Sequence, residues 1–241
     1  MKARKVIVVG ASSGMGRELV RQLAARGDRV AAVARREDKL TELAAEHPQQ
    51  ILPFPHDVTQ PESVPELFAE ICRQLGGLDV IIYAAGVMPE VGATEYSFEK
   101  DRAMIEVNLT GAGAWLNAAA DRFQNVGHGT IVGIGSVAGE RGRQGQPMYN
   151  TTKAALKTYL EALRNRLSKR GIRVTTIKPG PTATEMTAHL KQTGMMGAEE
   201  AAEKIIRVMD SGKEKFLKPS HAVIFAIIRN IPTGVFRRLK L

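Results

Sequence analysis

The chain has 241 residues, of which 44% are hydrophobic, only 5% are aromatic and one is a cysteine. That length and apolar content can fill one sizeable core built of aliphatic side chains, and a single cysteine excludes an internal disulfide framework. With 34 basic and 25 acidic residues the formal charge is +9, but residues 213–241 alone hold seven basic side chains and one acidic one, so the excess belongs to the tail and the body is nearly balanced.

Lys2, Arg4 and Lys5 precede the apolar run Val6–Val9, which is too short for a signal-peptide core and reads as a buried strand. The late run Ala222–Ile228 also falls far short of the roughly 20 residues that a membrane span needs. A reducing, cytoplasmic setting is expected, with Cys72 a buried and inert thiol. Strands are predicted at Val6–Val9, Arg29–Ala34, Ile51–Phe54, Val80–Tyr83, Thr130–Ile134 and Val174–Ile177. Helices are predicted at Met15–Ala25, Asp38–Glu46, Glu62–Gln74, Asn108–Phe123 and Tyr149–Lys169, with a further one at 198–210. Strand–helix alternation with near-continuous apolar strands implies a Rossmann-like, doubly wound α/β fold: a parallel sheet with helices on both faces. No linker or repeat interrupts it, so one domain spans residues 1–212 and a basic, apolar extension occupies 213–241.

Gly10-Ala11-Ser12-Ser13-Gly14-Met15-Gly16 follows the first strand and opens the first helix. Glycines there permit a tight turn and close backbone approach to a pyrophosphate, and the helix N-terminus offers free N–H groups to it. The second strand ends Val33-Ala34-Arg35-Arg36, with no acidic residue before Glu37. A carboxylate there suits the ribose hydroxyl of NAD, whereas arginine suits the 2′-phosphate of NADP, so NADP (NADPH) is the expected cofactor. The plainer alternative is a solvated arginine pair opening a helix. Asp57 and Val58 sit where an adenine edge would lie, and Ala84, Ala85 and Gly86 are small enough to let a nucleotide pass. After the sixth strand, Pro179, Gly180, Thr182 and Thr184 form a turn at the same sheet edge.

Tyr149 and Lys153 stand four residues apart, on one face of one helix. A free phenol has a pKa near 10, and a neighbouring ammonium would bring it into the range of general acid–base work. Ser136 ends the fifth strand, where its hydroxyl can meet a substrate oxygen as charge builds on it. Asn108 begins the helix after the fourth strand, a position that by itself reads as an ordinary N-cap.

These motifs, in this order over residues 4–185, resemble the short-chain dehydrogenase/reductase family in its compact, single-domain branch. The resemblance implies that Gly10, Gly14 and Gly16 are cofactor glycines, with Ser12, Ser13 and Met15 in the same loop, and that Asp57 touches adenine. It implies a catalytic set of Asn108, Ser136, Tyr149 and Lys153. In that mechanism Tyr149 donates a proton to the carbonyl oxygen while the nicotinamide gives hydride to carbon. Ser136 orients the oxygen, Lys153 holds the ribose and lowers the tyrosine pKa, and Asn108 positions a water. Val9 and Tyr83 depart from the Thr and Asn common in the family, which implies altered local hydrogen bonding. The resemblance also implies a homodimer or homotetramer through the helices at 108–123 and 149–169, the latter with Leu156, Tyr159, Leu160, Leu163 and Leu167 on more than one face.

The expected substrate is a small carbonyl compound or secondary alcohol. Its pocket would be walled by the loops Gly139–Met148, with Arg141, Arg143 and Gln144, and Glu185–Met196, with Met186, His189, Leu190 and Met195. Those methionines suit an adaptable apolar pocket, or else pack the loop on the body. Arg143 suits an acidic substrate, or else is solvated. His47, His56, His128, His189 and His221 are not at metal-ligand spacing, so no metal is expected. The tail fits three roles: a cap on the pocket or an interface, a basic amphipathic segment on an anionic membrane, or a solvated end. No aromatic platform accompanies its charge, which argues against nucleic acid. The rival to an enzyme is a non-catalytic nucleotide-binding scaffold whose tail engages a membrane or a protein.

Overall fold

A computed structural model describes residues 3–189 and 194–239. In chain order the elements are β1 (Lys5–Val9), α1 (Gly14–Ala25), β2 (Arg29–Ala34), α2 (Glu37–Glu46), β3 (Ile51–Pro55), α3 (Val64–Leu75), β4 (Val80–Tyr83) and α4 (Phe98–Ile105). There follow α5 (Gly111–Val126), β5 (Gly129–Ile134), α6 (Pro147–Leu167), β6 (Ile172–Lys178), β7 (Thr182–Ala183), β8 (Met196–Gly197), α7 (Ala198–Val208), β9 (Glu214–Phe216), α8 (Pro219–Asn230) and α9 (Thr233–Phe236). Among the described residues, seven strands form one parallel sheet in the order β3-β2-β1-β4-β5-β6-β9, and β7 pairs with β8 apart from it.

Alternation along β1 explains the two layers. Ile7 and Val9 face a core shared with Phe68, Ile71, Trp115 and Leu156, from α3, α5 and α6. Val6 and Val8 face the other, shared with Leu19, Leu23, Leu40 and Ile205, from α1, α2 and α7. The chain winds outward from β1 to β3, then crosses back to place β4 against the other side of β1. The chain therefore leaves β1 and β4 for helices on opposite faces of the sheet, α1 and α5, which marks the usual ligand position of this architecture at their carboxyl ends.

Three local features differ from the sequence reading. The helix expected to begin at Asn108 begins at Phe98, where the Ser97 hydroxyl accepts from the Lys100 amide at 3.3 Å. It passes through a π turn, Glu106–Thr110, before continuing as α5. Its first turns carry only Met104 as a buried residue, so they lack a helical apolar stripe. The leucines of α6 also form a single face: Leu156, Leu160, Leu163 and Leu167 all enter the core, and only Tyr159 lies partly outside it. Finally, the extension from residue 213 begins inside the sheet, because Glu214–Phe216 pairs with Thr176–Lys178. Three residues, two of them charged, carry no period that would reveal a strand.

Beyond β9 the extension packs on the segment after β5. Arg141 donates from Nη1 to the carbonyls of Ile228 and Ile231, both at 2.6 Å, and its guanidinium lies 3.9 Å from the centre of the Phe236 ring. Glu140, with a fully enclosed carboxylate, lies 2.7 Å from Lys178 Nζ and 3.3 Å from Arg229 Nε of α8. Lys178 also pairs with Glu214 of β9. The outer side of α8 leaves Val223, Ile224 and Ile227 exposed. Among the described residues, no helix is long and apolar enough to cross a membrane.

Candidate active site

A cavity of about 1050 Å³ lies along the carboxyl edge of the sheet. At one end is the loop from β1 to α1. Gly10 takes φ +93°, and a Cβ there would stand 2.4 Å from the Ala85 amide nitrogen, so only glycine lets the β1 and β4 loops meet this closely. Helix α1 has no acidic residue in its first turn, and the Ser13 side chain makes no capping bond to it. Its leading N–H groups therefore stay available to an anion, as a phosphate-binding helix start requires. Gly10, Ser12, Ser13, Gly14, Met15 and Gly16 all line the cavity, and so do Arg35 and Arg36.

The two arginines differ. Arg35 is largely exposed and lies 3.9 Å from Asp57 Oδ2, a long pairing that leaves its guanidinium free to turn. Arg36 is committed: it donates to Ser12 Oγ at 3.2 Å and pairs with Glu185 at 3.1 Å, bridging the first and last loops of the site. Val58 lines the cavity, whereas Asp57 stands behind it and accepts from the Thr59 amide and hydroxyl at 3.0 and 2.9 Å. Ala84, Ala85, Gly86, Pro179, Gly180, Thr182 and Thr184 form the middle of the wall. Met186 and His189 line it too, while Leu190 lies outside the described residues.

At the other end, Ser136 and Tyr149 both line the cavity, the Ser136 hydroxyl near enough to the phenol to pull its pKa down. Ser136 caps a short turn of 3₁₀ helix, Val137–Glu140, its Oγ accepting from the Ala138 amide at 3.0 Å. Tyr149 lies in the first turn of α6, behind Pro147. The residue before that proline, Gln146, has φ +56°, an uncommon and strained value for a side chain with a Cβ. It fixes the angle at which the loop delivers Tyr149.

Lys153 is one turn further along α6, buried, with its Nζ donating to the Ile134 carbonyl at 3.0 Å and lying 5.7 Å from the Tyr149 ring centre. Burial pushes its ammonium down to about 8. Tyr149 does not show the lowered pKa that the sequence suggests. Burial holds its phenol above the ordinary value, against a smaller opposing pull from the Ser136 hydroxyl and the Arg143 charge. Desolvation of the phenolate outweighs the nearby cations.

Asn108 lies in the π turn and is fully buried. Its Oδ1 accepts from the Val87 amide at 2.7 Å, and its Nδ2 donates to the Val87 carbonyl at 3.0 Å and to Thr152 Oγ1 at 3.2 Å. The amide is thus spent on pinning the β4 loop to α6. The extra residue of a π turn is a common way to place such a group. Tyr83, at the departure from the family pattern, donates to the Val107 carbonyl at 2.6 Å and so ties β4 to the same turn. Sequence reasoning missed Thr152 and Asn150. Asn150 holds the loop before α6 by donating to the Gly145 carbonyl at 2.9 Å. The signal was present, since the polar residues Asn150, Thr151 and Thr152 follow Tyr149 where the helix must turn inward. Among the described residues, no group of three or more His, Cys, Asp or Glu is placed to hold a metal ion.

Comparison with known proteins gives a consistent result. Residues 4–194 match the family model described as short chain dehydrogenase. An uncharacterized oxidoreductase of Myxococcus xanthus is 39% identical over 191 residues, covering 78% of this chain and 76% of the relative. One from Staphylococcus aureus is 32% identical over 210 residues, 86% of this chain and 91% of the relative. Among solved structures, a short-chain dehydrogenase from Streptomyces avermitilis superposes with a TM-score of 0.85 at 26% identity, covering 93% of this chain and 92% of its own. A short-chain dehydrogenase of Burkholderia cenocepacia, solved in complex with NADP, gives a TM-score of 0.84 at 22% identity over 99% of this chain and 98% of its own.

Proposed function

The chain belongs to the short-chain dehydrogenase family, and from that premise we propose that it is an NADPH-dependent carbonyl reductase, working reversibly as an alcohol dehydrogenase, with Tyr149 as general acid and base. The observation that carries this reading is that Ser136 and Tyr149 line one cavity at the sheet edge, with Lys153 buried one helix turn further on and its Nζ 5.7 Å from the Tyr149 ring centre. The cavity residues fit a dinucleotide: a glycine loop, a helix start with free N–H groups and a cation at the end of β2. Gly10, Ser12, Ser13, Gly14, Met15 and Gly16 would hold its pyrophosphate, and Arg35 its 2′-phosphate. Bound NADPH supplies the hydride.

The chain's own residues manage the oxygen. The Ser136 hydroxyl donates to the substrate carbonyl as negative charge grows there, and Tyr149 delivers the proton that completes the alcohol. Lys153, cationic below pH 8, favours the phenolate left behind and so eases its reprotonation. Asn108 keeps Val87 and Thr152 in register and acts as a positioning residue. For NADP over NAD the support is that β2 runs into Arg35 and Arg36 with no acidic residue before Glu37. The relative from Burkholderia cenocepacia, which binds NADP, adds weight to that choice. The test is a screen of ketones, quinones, steroids and 3-oxoacyl compounds, following NADPH oxidation at 340 nm with NADH in parallel. Turnover with at least tenfold preference for NADPH is expected; equal use of NADH would remove the cofactor assignment, and no turnover across the panel would remove the enzyme reading.

A second reading concerns the tail alone. Val223, Ile224 and Ile227 stay exposed on α8, with Lys215, Lys218, Arg237 and Arg238 nearby in sequence. An anionic lipid surface suits that combination. A two-fold copy suits it less, because it would set these cations near their own images.

A further inference from the structure

Arg143 stands in the loop between the 3₁₀ turn and α6, and its side chain lies turned inward instead of solvated. It lines the main cavity beside Tyr149 and Ser136, and it also bounds a second cavity of about 80 Å³ with Arg141, Phe225, Ile228 and Phe236. Its Nε is enclosed and has no hydrogen-bond partner. Its Nη2 makes one long bond, 3.3 Å, to Asn150 Oδ1. Nε and Nη2 form one edge of the guanidinium, the two-donor edge that matches a carboxylate. That edge is almost unused.

The surrounding charges explain why it stays unused. The nearest carboxylate in sequence, Glu140, is taken by Lys178 and Arg229. Of the acidic residues lining the cavity, Glu185 pairs with Arg36 and Glu106 lies 3.6 Å from Arg102, while Glu90 is exposed. Among the described residues, no carboxylate pairs with Arg143. Arg35 and Arg36, the other cations lining the cavity, sit at the end of β2, three strands from β5. A partly desolvated cation with no carboxylate partner costs free energy unless an anion completes it.

We propose that Arg143 is the receptor for an anionic group on the substrate, and that the substrate is therefore a carbonyl compound carrying a carboxylate. This rests on the reductase reading above and narrows its substrate class. Ser136 and Tyr149 take the carbonyl oxygen; the Arg143 guanidinium, lining the same cavity, takes the carboxylate and sets which end of the molecule faces the hydride.

The test compares 2-, 3- and 4-oxo acids with their methyl esters in NADPH oxidation at pH 7. For at least one acid, kcat/KM exceeds that of its ester by about 30-fold or more, mainly through KM. In Arg143→Gln the acid-to-ester ratio falls towards one, and Arg143→Lys, which keeps the charge but not the fork, restores it only in part. A ratio near one in the unmodified protein, or an unchanged ratio in Arg143→Gln, overturns the assignment. Turnover of esters in that case leaves the reductase reading standing. Calorimetric titration of NADP-loaded Tyr149→Phe protein supplies a readout that needs no turnover. Acid binding at least tenfold tighter than ester, abolished by adding Arg143→Gln, supports the receptor even if the reductase reading fails; equal or absent acid binding overturns it.

Discussion

Helix α6 buries Leu156, Leu160, Leu163 and Leu167 in the main core, whereas α8, also rich in apolar residues, buries none of its own. What attaches α8 is a mixture: Phe225 stacks on Phe216 of β9 with ring centres 6.2 Å apart, Arg141 holds the carbonyls of Ile228 and Ile231, and Arg229 lies on an enclosed Glu140. Burial of a leucine contributes on the order of 2 kcal/mol, so α6 is anchored by its core face, and Tyr149 and Lys153, which it carries, share that anchorage. The tail is anchored by two buried side chains, Leu217 and Phe236, and by a few charges that also tie β6 to β9 through Lys178. Position in the sequence therefore separates two mechanical roles: a rigid frame for chemistry, and an attachment whose outer face is free.

The comparison breaks most visibly at Glu140. Glu140→Ala leaves Lys178, 1% exposed, with Glu214 as its remaining acidic partner. A loss of about 3 kcal/mol in denaturant unfolding is expected; a loss under 1 kcal/mol would show that the buried charges do not stitch tail to frame. The frame has its own tight point at Gly111, where a Cβ would stand 2.8 Å from both the Tyr83 hydroxyl oxygen and the Val58 carbonyl. Gly111→Ala should cost about 2 kcal/mol. Tyr83→Phe removes one of the two clashing oxygens, so the double variant should lose less than the two single losses combined.

A third prediction uses the buried ammonium. Lys153 in the folded protein titrates at about 8, against 10.5 ordinarily. Between those values the unfolded chain holds the proton and the folded chain does not, so this group's contribution to stability improves as pH rises. Below pH 8 the cost of burying the charge is present in full. Lys153→Met should therefore stabilise the protein more at pH 7 than at pH 10, by about 2 kcal/mol in the difference; an equal effect at both pH values would contradict a charged, desolvated lysine. The smallest effect belongs to the outer face of α8. Ile227→Ser, at a residue 62% exposed, should change stability by less than about 0.5 kcal/mol, yet reduce sedimentation with vesicles containing 30% phosphatidylglycerol. Retained sedimentation would remove the lipid reading of the tail.

Much of this arrangement was legible in the sequence because it depends on local spacing. Gly10 to Gly16 had to follow a strand and open a helix, and Ser136, Tyr149 and Lys153 had to meet at one sheet edge once the strands were parallel. What escaped depends on long-range contacts or carries no period. The strand Glu214–Phe216 is too short and too charged to announce itself, and it exists only because β6 offers an edge. The π turn at Asn108 follows from its bonds to Val87 and Thr152, which lie 21 and 44 residues away. The inward turn of Arg143 depends on Asn150 and on a loop set by the strained Gln146. The direction of the Tyr149 pKa depends on burial, which the Tyr–Lys spacing does not report.

The most direct measurement is the pairing of turnover with nucleotide affinity in Tyr149→Phe. Removal of one hydroxyl oxygen, with the ring left in place, should lower kcat for the best carbonyl substrate by about a thousandfold, while the NADPH dissociation constant from fluorescence titration stays within about twofold. Turnover that persists within tenfold of the unmodified protein would contradict Tyr149 as the proton donor, and with it the account of the sheet edge as a catalytic site.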